Sequence, residues 1–239
     1  MRTSIDRRWL WLLATLLVAA LPLPGLADAG ADPAVNAPYQ DPEYSQWGEA
    51  FERPGREVFD RRREIVAATG VRPGMAVADV GAGTGLFTRL FATAVGAQGK
   101  VYAVDISKNF VDNIVRTARE QALNNVEGIV NAQDSTGLPA GSVDLVFVCD
   151  TYHHFEQPGA MLASIHRALR PGGTLVVIDF ERVAGRSSGW VMNHVRAGKE
   201  SVIREVEAGG FRLHEDNPLL HDNFFLRFER AGQRKPSPG

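Results

Sequence analysis

The chain is predicted to be an α/β protein, a doubly wound, mostly parallel seven-stranded sheet with helices on both faces. Three observations predict it. Apolar runs alternate with helical patterns along most of the 239 residues. The runs are continuous rather than alternately polar, as in a parallel sheet covered on both sides. One run breaks into a glycine-rich turn and restarts as helix, in Asp79-Val80-Gly81-Ala82-Gly83-Thr84-Gly85-Leu86-Phe87.

The elements follow in order. Residues 1–27 begin with Arg2, Arg7 and Arg8 and continue through an uncharged apolar stretch, 9–21, to a Pro-Leu-Pro-Gly break and the small residues Gly25 and Ala27. Charged start, short apolar centre and small-residue exit read as a cleaved secretory signal peptide. The expected location is therefore exported, periplasmic or secreted. The Arg7-Arg8 pair hints at the twin-arginine route, although Asp6 departs from that pattern. Thirteen apolar residues are too few to span a bilayer comfortably, so no stable membrane span is expected after cleavage. Residues 28–45 hold three prolines and read as a linker or an arm over the domain. The domain itself is expected over 46–230, followed by a frayed tail, 231–239.

Within that domain a helical pattern over 46–69 carries Val58, Phe59, Ile65, Val66 and Ala68 on one side, and Gly70 and Pro73-Gly74 end it. Strands are then expected at 75–80, 100–104, 126–131, 143–149 and 174–180. Helices are expected at 86–95, 109–123 and 158–169. The turns 138–142 and 170–173 contain Pro and Gly. A late helix, 200–208, precedes two final strands at 211–215 and 223–228. Right-handed crossovers place ligands at the carboxyl ends of such strands, near the point where strand order reverses.

Composition narrows the function. A net charge of −2 gives no general nucleic-acid-binding surface. The single cysteine, Cys149, excludes an intramolecular disulfide and a multi-cysteine metal site. Its place in an apolar run suits a buried, inert thiol.

The glycine turn is a nucleotide-type cofactor loop. Glycine lets the backbone turn sharply and approach a ligand, and the following helix aims free N–H groups at it. A dinucleotide loop needs a third glycine at the sixth position, where this chain has Leu86. Asp79 lies two residues before the first glycine, poorly placed beside a pyrophosphate but well placed for a cationic ligand.

Val-Ala-Asp79-Val-Gly81-Ala-Gly83-Thr-Gly85 resembles the first motif of class I S-adenosylmethionine-dependent methyltransferases. The Asp144–Phe155 stretch and the Leu169-Arg-Pro-Gly-Gly turn resemble later motifs. Asp-Thr-Tyr-His-His-Phe and the final Phe-Phe-Leu-Arg-Phe look most like the ubiquinone/menaquinone-biosynthesis-type subgroup acting on small molecules. The resemblance implies a Rossmann-like methyltransferase fold with an antiparallel last strand, S-adenosylmethionine as cofactor and a small-molecule substrate. It implies cofactor contacts at Asp79, Gly81, Ala82, Gly83, Gly85, Asp105, Ile106, Asp134, Ser135 and Asp150. Asp105 would bind the ribose hydroxyls, and Asp134 the adenine amino group. Tyr152, His153 and His154 would border the methyl group, where a His can accept a proton near neutral pH.

No metal is expected, because adjacent His side chains diverge in extended backbone and no His-x-x-x-His spacing exists. His194 lies outside the motifs. Trp47, Phe51, Arg53 and Phe59 are candidates for a lid, and Arg182, Trp190, His194 and Arg196 for the opposite wall. Two other readings stand beside a methyltransferase: a non-catalytic binder of the same ligand, and a nicotinamide-dependent oxidoreductase.

Overall fold

The computed structural model describes residues 30–231. The expected signal peptide, 1–27, and nearly all of the expected tail lie outside the described residues. The described strands form one seven-stranded sheet in the order β3-β2-β1-β4-β5-β7-β6. They are β1 (Ala76–Val80), β2 (Lys100–Asp105), β3 (Val126–Val130), β4 (Val143–Cys149), β5 (Leu169–Phe180), β6 (Phe211–Asn217) and β7 (Asn223–Arg230). β1 to β5 pair in parallel, whereas β7 runs antiparallel to both β5 and β6. This is the predicted doubly wound sheet.

Side-chain alternation builds a core on each face. Ala76, Ala78 and Val80 of β1, Val146 and Val148 of β4, and Leu175 and Val177 of β5 face one way. They pack against Met161, Leu162 and Ile165 of α7 (Pro158–Ala168) and Val202 and Val206 of α9 (Lys199–Ala208). Val77, Leu145, Phe147, Val176 and Ile178 face the other way. They meet Ile65 and Val66 of α4 (Arg62–Ala68) and Phe87, Phe91 and Val95 of α5 (Leu86–Val95). Every residue of β1 is buried, which is why its sequence shows no polar alternation. Ile114 of α6 (Lys108–Glu120) closes on Ala103 of β2, and Ser107 caps that helix by accepting from the Phe110 N–H.

The structure differs from the sequence reading in several places. The helical pattern over 46–69 is split into α2 (Tyr44–Phe51), α3 (Glu57–Asp60) and α4, with Arg53-Pro54-Gly55 between the first two. The segment expected as a linker or arm contains α1 (Pro33–Gln40), capped by the Asp32 carboxylate, with Asn36 buried. β5 starts five residues earlier than expected: Leu169 pairs with Val143, then the exposed 170–172 turn bulges out before pairing resumes at Thr174. A further short helix, α8 (Gly189–His194), follows β5. Among the described residues no helix is long and apolar enough to cross a membrane.

Candidate functional site

Strand order reverses between β1 and β4, and a cavity of about 570 Å³ opens over the carboxyl ends of those strands. Its floor is the loop after β1. Gly81 and Ala82 donate backbone N–H groups to the Val104 carbonyl (2.8 and 3.1 Å), which ties the loop to β2. Gly81 has φ +74°, and a Cβ there would lie 2.2 Å from the Thr151 Cγ2, so only glycine fits. Gly85, in the left-handed conformation, stands before the first residue of α5, and Leu86 lines the cavity.

Two buried carboxylates border this floor. Asp79 Oδ2 accepts from the Thr88 hydroxyl (2.6 Å), and burial pushes its pKa up to about 7. Asp105 accepts from the Gly83 N–H (2.8 Å) and the Ser107 N–H (2.9 Å), and burial pushes it up to about 6. Burial makes both groups resist ionisation, so a cationic ligand gains by restoring their charge.

The residues after β4 form the second wall. Asp150 adopts φ +48°, uncommon for a non-glycine residue. Its Oδ2 pairs with Arg56 (2.5 Å) and its Oδ1 accepts from the Asn223 amide (2.6 Å). Asp150 lines the cavity, yet both its oxygens are engaged in holding Arg56 and Asn223.

Tyr152–His154 form a single 3₁₀ turn, not extended backbone. The His153 and His154 rings therefore sit 4.2 Å apart, and His194 of α8 joins them at 5.2 and 5.3 Å. This corrects the expectation that the adjacent rings diverge, and it brings in a histidine forty residues away that no motif marked. His153 Nδ1 lies 2.7 Å from Asp179 Oδ1, and its backbone N–H donates to Asp179 Oδ2. Burial opposes protonation of that ring, but the Asp179 carboxylate outweighs it and raises the pKa above the ordinary value. His154 Nδ1 lies 3.0 Å from Asn36 Oδ1. Burial, then its neighbours His153 and His194, depress the His154 pKa to about 3, so its ring is neutral at pH 7.

Some predicted residues lie off the cavity. The Tyr152 hydroxyl is buried against Glu205 (2.8 Å), which also forms a two-bond ion pair with Arg196. Tyr152 thus points into the core beneath α9, as does Arg196 beside it, and neither lines the cavity. Asp134 is exposed and off the cavity, while Asn131 and Gln133 line it in its place. Ser135 turns away to Ser164. Phe59 packs in the core under Arg62, and Arg182 bonds to the Met192 carbonyl.

The roof was only partly foreseen. Trp47, Phe51 and Arg53 line it as expected, joined by Tyr39, and Trp190 and Phe180 close the far side. Long-range contacts dock it, among them Asn36 to the His154 carbonyl, Tyr44 to the Thr84 carbonyl, and Glu52 to Arg89. Asp179 is the most informative omission. A carboxylate in the apolar run 174–180 is costly to bury without a partner, and that cost was a readable signal.

Comparison with known proteins agrees with this geometry. Residues 78–177 match the family described as a methyltransferase domain. The ubiquinone/menaquinone biosynthesis C-methyltransferase of Hydrogenovibrio crunogenus is 32% identical over 127 residues, covering 51% of this chain and 48% of that protein. The chain thus matches about half the length of the curated relatives. A SAM-dependent methyltransferase from Aquifex aeolicus superposes with a TM-score of 0.70 at 24% identity, over 80% of this chain and all of that one. A geranyl diphosphate C-methyltransferase from Streptomyces coelicolor, solved with S-adenosyl-L-homocysteine, superposes at 0.60 with 16% identity, over 77% of this chain and 89% of that one. Residues 78–177 are thus similar to a methyltransferase domain, and the chain shares the fold of solved methyltransferases over most of its length.

Proposed function

We propose that this protein transfers a methyl group from S-adenosylmethionine to a small molecule held under the aromatic roof. The observation that carries this reading is one cavity shared by the glycine loop, the buried Asp79 and Asp105, and His153, which Asp179 holds from behind. The donor supplies a methyl on a positively charged sulfur that is its own leaving group. The chain's part is to bind, align and exclude water.

In this reading Asp105 accepts from ribose hydroxyls, Asn131 and Gln133 meet the base, and Asp79 balances the ligand's positive charge; all four line the cavity. Leu86 occupies the space that a pyrophosphate-binding loop leaves to glycine, which supports the adenosyl donor over a nicotinamide. For an acceptor that arrives protonated, His153 is the better-placed base. Its Nδ1–H is held by Asp179, leaving Nε2 unpartnered in the cavity wall. Incubating the protein with methyl-labelled donor and a host metabolite extract should label one small product. Labelling no greater than in a protein-free control would leave only a ligand-binding role.

The buried carboxylates give a pH dependence. Asp79 and Asp105 have folded pKa values above those of an unfolded chain, so the free protein binds more protons than the unfolded one between about pH 4 and 7. Their contribution to stability is present below about pH 4 and is lost as pH rises toward 7. Asp79 faces Thr88, Asp105 and Arg89, and only the last is a cation. Affinity for S-adenosylmethionine should therefore rise several-fold from pH 5.5 to 8, with proton release visible as a buffer-dependent binding enthalpy. A flat affinity profile would contradict the charge-balancing role of Asp79.

Residues 1–27 support export as part of the same reading, through their charged start and short apolar centre. Fractionation of host cells should recover a chain beginning near residue 28 outside the cytoplasm. A full-length cytosolic product would contradict export.

A further inference from the structure

We propose that His153, His154 and His194 form a three-imidazole site for a divalent transition-metal ion of the zinc class, with its open coordination position facing the methyl-transfer cavity. One ring nitrogen from each residue lies within 4.8 Å of the other two, and all three residues line the cavity. Zinc–nitrogen bonds of 2.0–2.1 Å set tetrahedral N···N separations of about 3.3–3.4 Å. The three rings thus need to close by roughly 1.5 Å at most to grip an ion.

The hydrogen bonds around the cluster prepare it for a ligand. Asp179, at the end of β5, accepts from His153 Nδ1. Asn36 uses its amide donors on the His154 carbonyl and the Glu156 carboxylate, so its oxygen accepts from His154 Nδ1. Both rings are thereby fixed in the tautomer whose Nε2 carries a lone pair. A carboxylate or amide oxygen behind each coordinating imidazole is the arrangement that orients metal ligands and makes them more basic.

Two of these ring nitrogens have no hydrogen-bond partner in the protein. The His153 side chain is 2% exposed, and its Nε2 is buried without a hydrogen-bond partner. The Nε2 of His194 is likewise buried and unpartnered. Leaving one such group unpaired costs about 1–3 kcal/mol, and two side by side are not explained by packing. Ring stacking of Trp190 on His194 (4.5 Å) positions the third ligand on a helix of only six residues, short enough to shift toward an ion. Imidazole-only donor sets suit zinc and its neighbours, and three protein ligands with one free position is the pattern of catalytic rather than structural zinc.

The consequence for the reaction rests on the methyl-transfer reading, while the ion site itself does not. A thiol or hydroxyl acceptor bound at the free position coordinates as its conjugate base, its proton going to solvent. The new bond from that sulfur or oxygen to the methyl carbon forms as the donor's S–CH₃ bond breaks, leaving a neutral thioether. With the ion in place, coordination replaces proton acceptance by His153.

Untagged full-length protein should be titrated with zinc chloride by calorimetry, and with cobalt chloride by visible absorption. The expected result is one equivalent of zinc and an intense tetrahedral cobalt spectrum. Zinc affinity should fall at least tenfold in His194→Ala and in His154→Ala, and stay unchanged in His221→Ala, an exposed histidine beside Asp222 that does not line the cavity. Binding of S-adenosylhomocysteine by His194→Ala, at near wild-type affinity, shows that the variant is folded and separates this question from the donor site. No zinc uptake, or uptake that survives both cavity variants, overturns the metal site and leaves the methyl-transfer reading intact.

Discussion

Asp105→Ala should lower affinity for S-adenosylhomocysteine by at least about 100-fold while leaving the chain folded. Each hydrogen bond to an ionised acceptor contributes about 1.5–3 kcal/mol, and a carboxylate facing two ribose hydroxyls makes two of them. Tenfold in affinity corresponds to about 1.4 kcal/mol. The carboxylate also accepts from the Gly83 and Ser107 backbone N–H groups, so its removal breaks one of the ties between the glycine loop and β2 and leaves those of Gly81 and Ala82 to the Val104 carbonyl. Stability should fall moderately: the Gly83 and Ser107 N–H groups lose their acceptor, at about 1–3 kcal/mol for each left unpaired, and removing a carboxyl that burial makes reluctant to ionise offsets part of that loss. Asp105→Asn is the informative companion. It keeps the shape but presents an NH₂ to donors, and should recover only part of the affinity. Calorimetry showing affinity within threefold of wild type for Asp105→Ala would remove Asp105 from the donor site.

The second large effect is expected at Gly81. Gly81→Ala places a Cβ 2.2 Å from Thr151 Cγ2 and 2.3 Å from Thr151 Oγ1, at φ +74°. Overpacking costs about 1–3 kcal/mol, and a left-handed backbone on a residue with a Cβ costs a further 1–3 kcal/mol. For a domain of this size that sum lowers Tm by roughly 5–20 °C. Relief of the clash moves either the loop or Thr151, and both border the donor cavity. Donor affinity should fall with stability. Adding Thr151→Ala removes the two nearest atoms and should recover part of the lost Tm. An unchanged melting temperature in Gly81→Ala would show that the loop does not pass this close to β4.

The parts of the molecule written in local pattern were legible. Strand–helix alternation, apolar runs at the central strands and a glycine turn specify the wound sheet, because central parallel strands are covered on both faces, whereas the edge strand β3 leaves Glu127 and Val130 exposed. The acidic residues Asp79 and Asp105 line the cavity because the topology delivers strand ends to one edge. What was not legible depends on contacts far apart in the chain. Asn36 reaches His154 across 118 positions, and nothing in the Pro-rich segment around it signals that docking. Tyr152 and His153 are neighbours in one 3₁₀ turn, yet one side chain enters the core at Glu205 and the other the cavity wall. Asp134 has the residue type expected beside an adenine, but the turn after β3 points it outward and offers Asn131 and Gln133 instead. His194 becomes visible only when α8 folds back over the cavity.

The central claim is that the cleft over β1 and β4 is built for a cationic adenosyl donor. The most direct test is calorimetric competition on purified protein between S-adenosylhomocysteine, S-adenosylmethionine and NAD. The account predicts one site, binding of both adenosyl ligands in the micromolar range, and no displacement of either by NAD. Selective binding of NAD, or no binding of either adenosyl ligand, would contradict it.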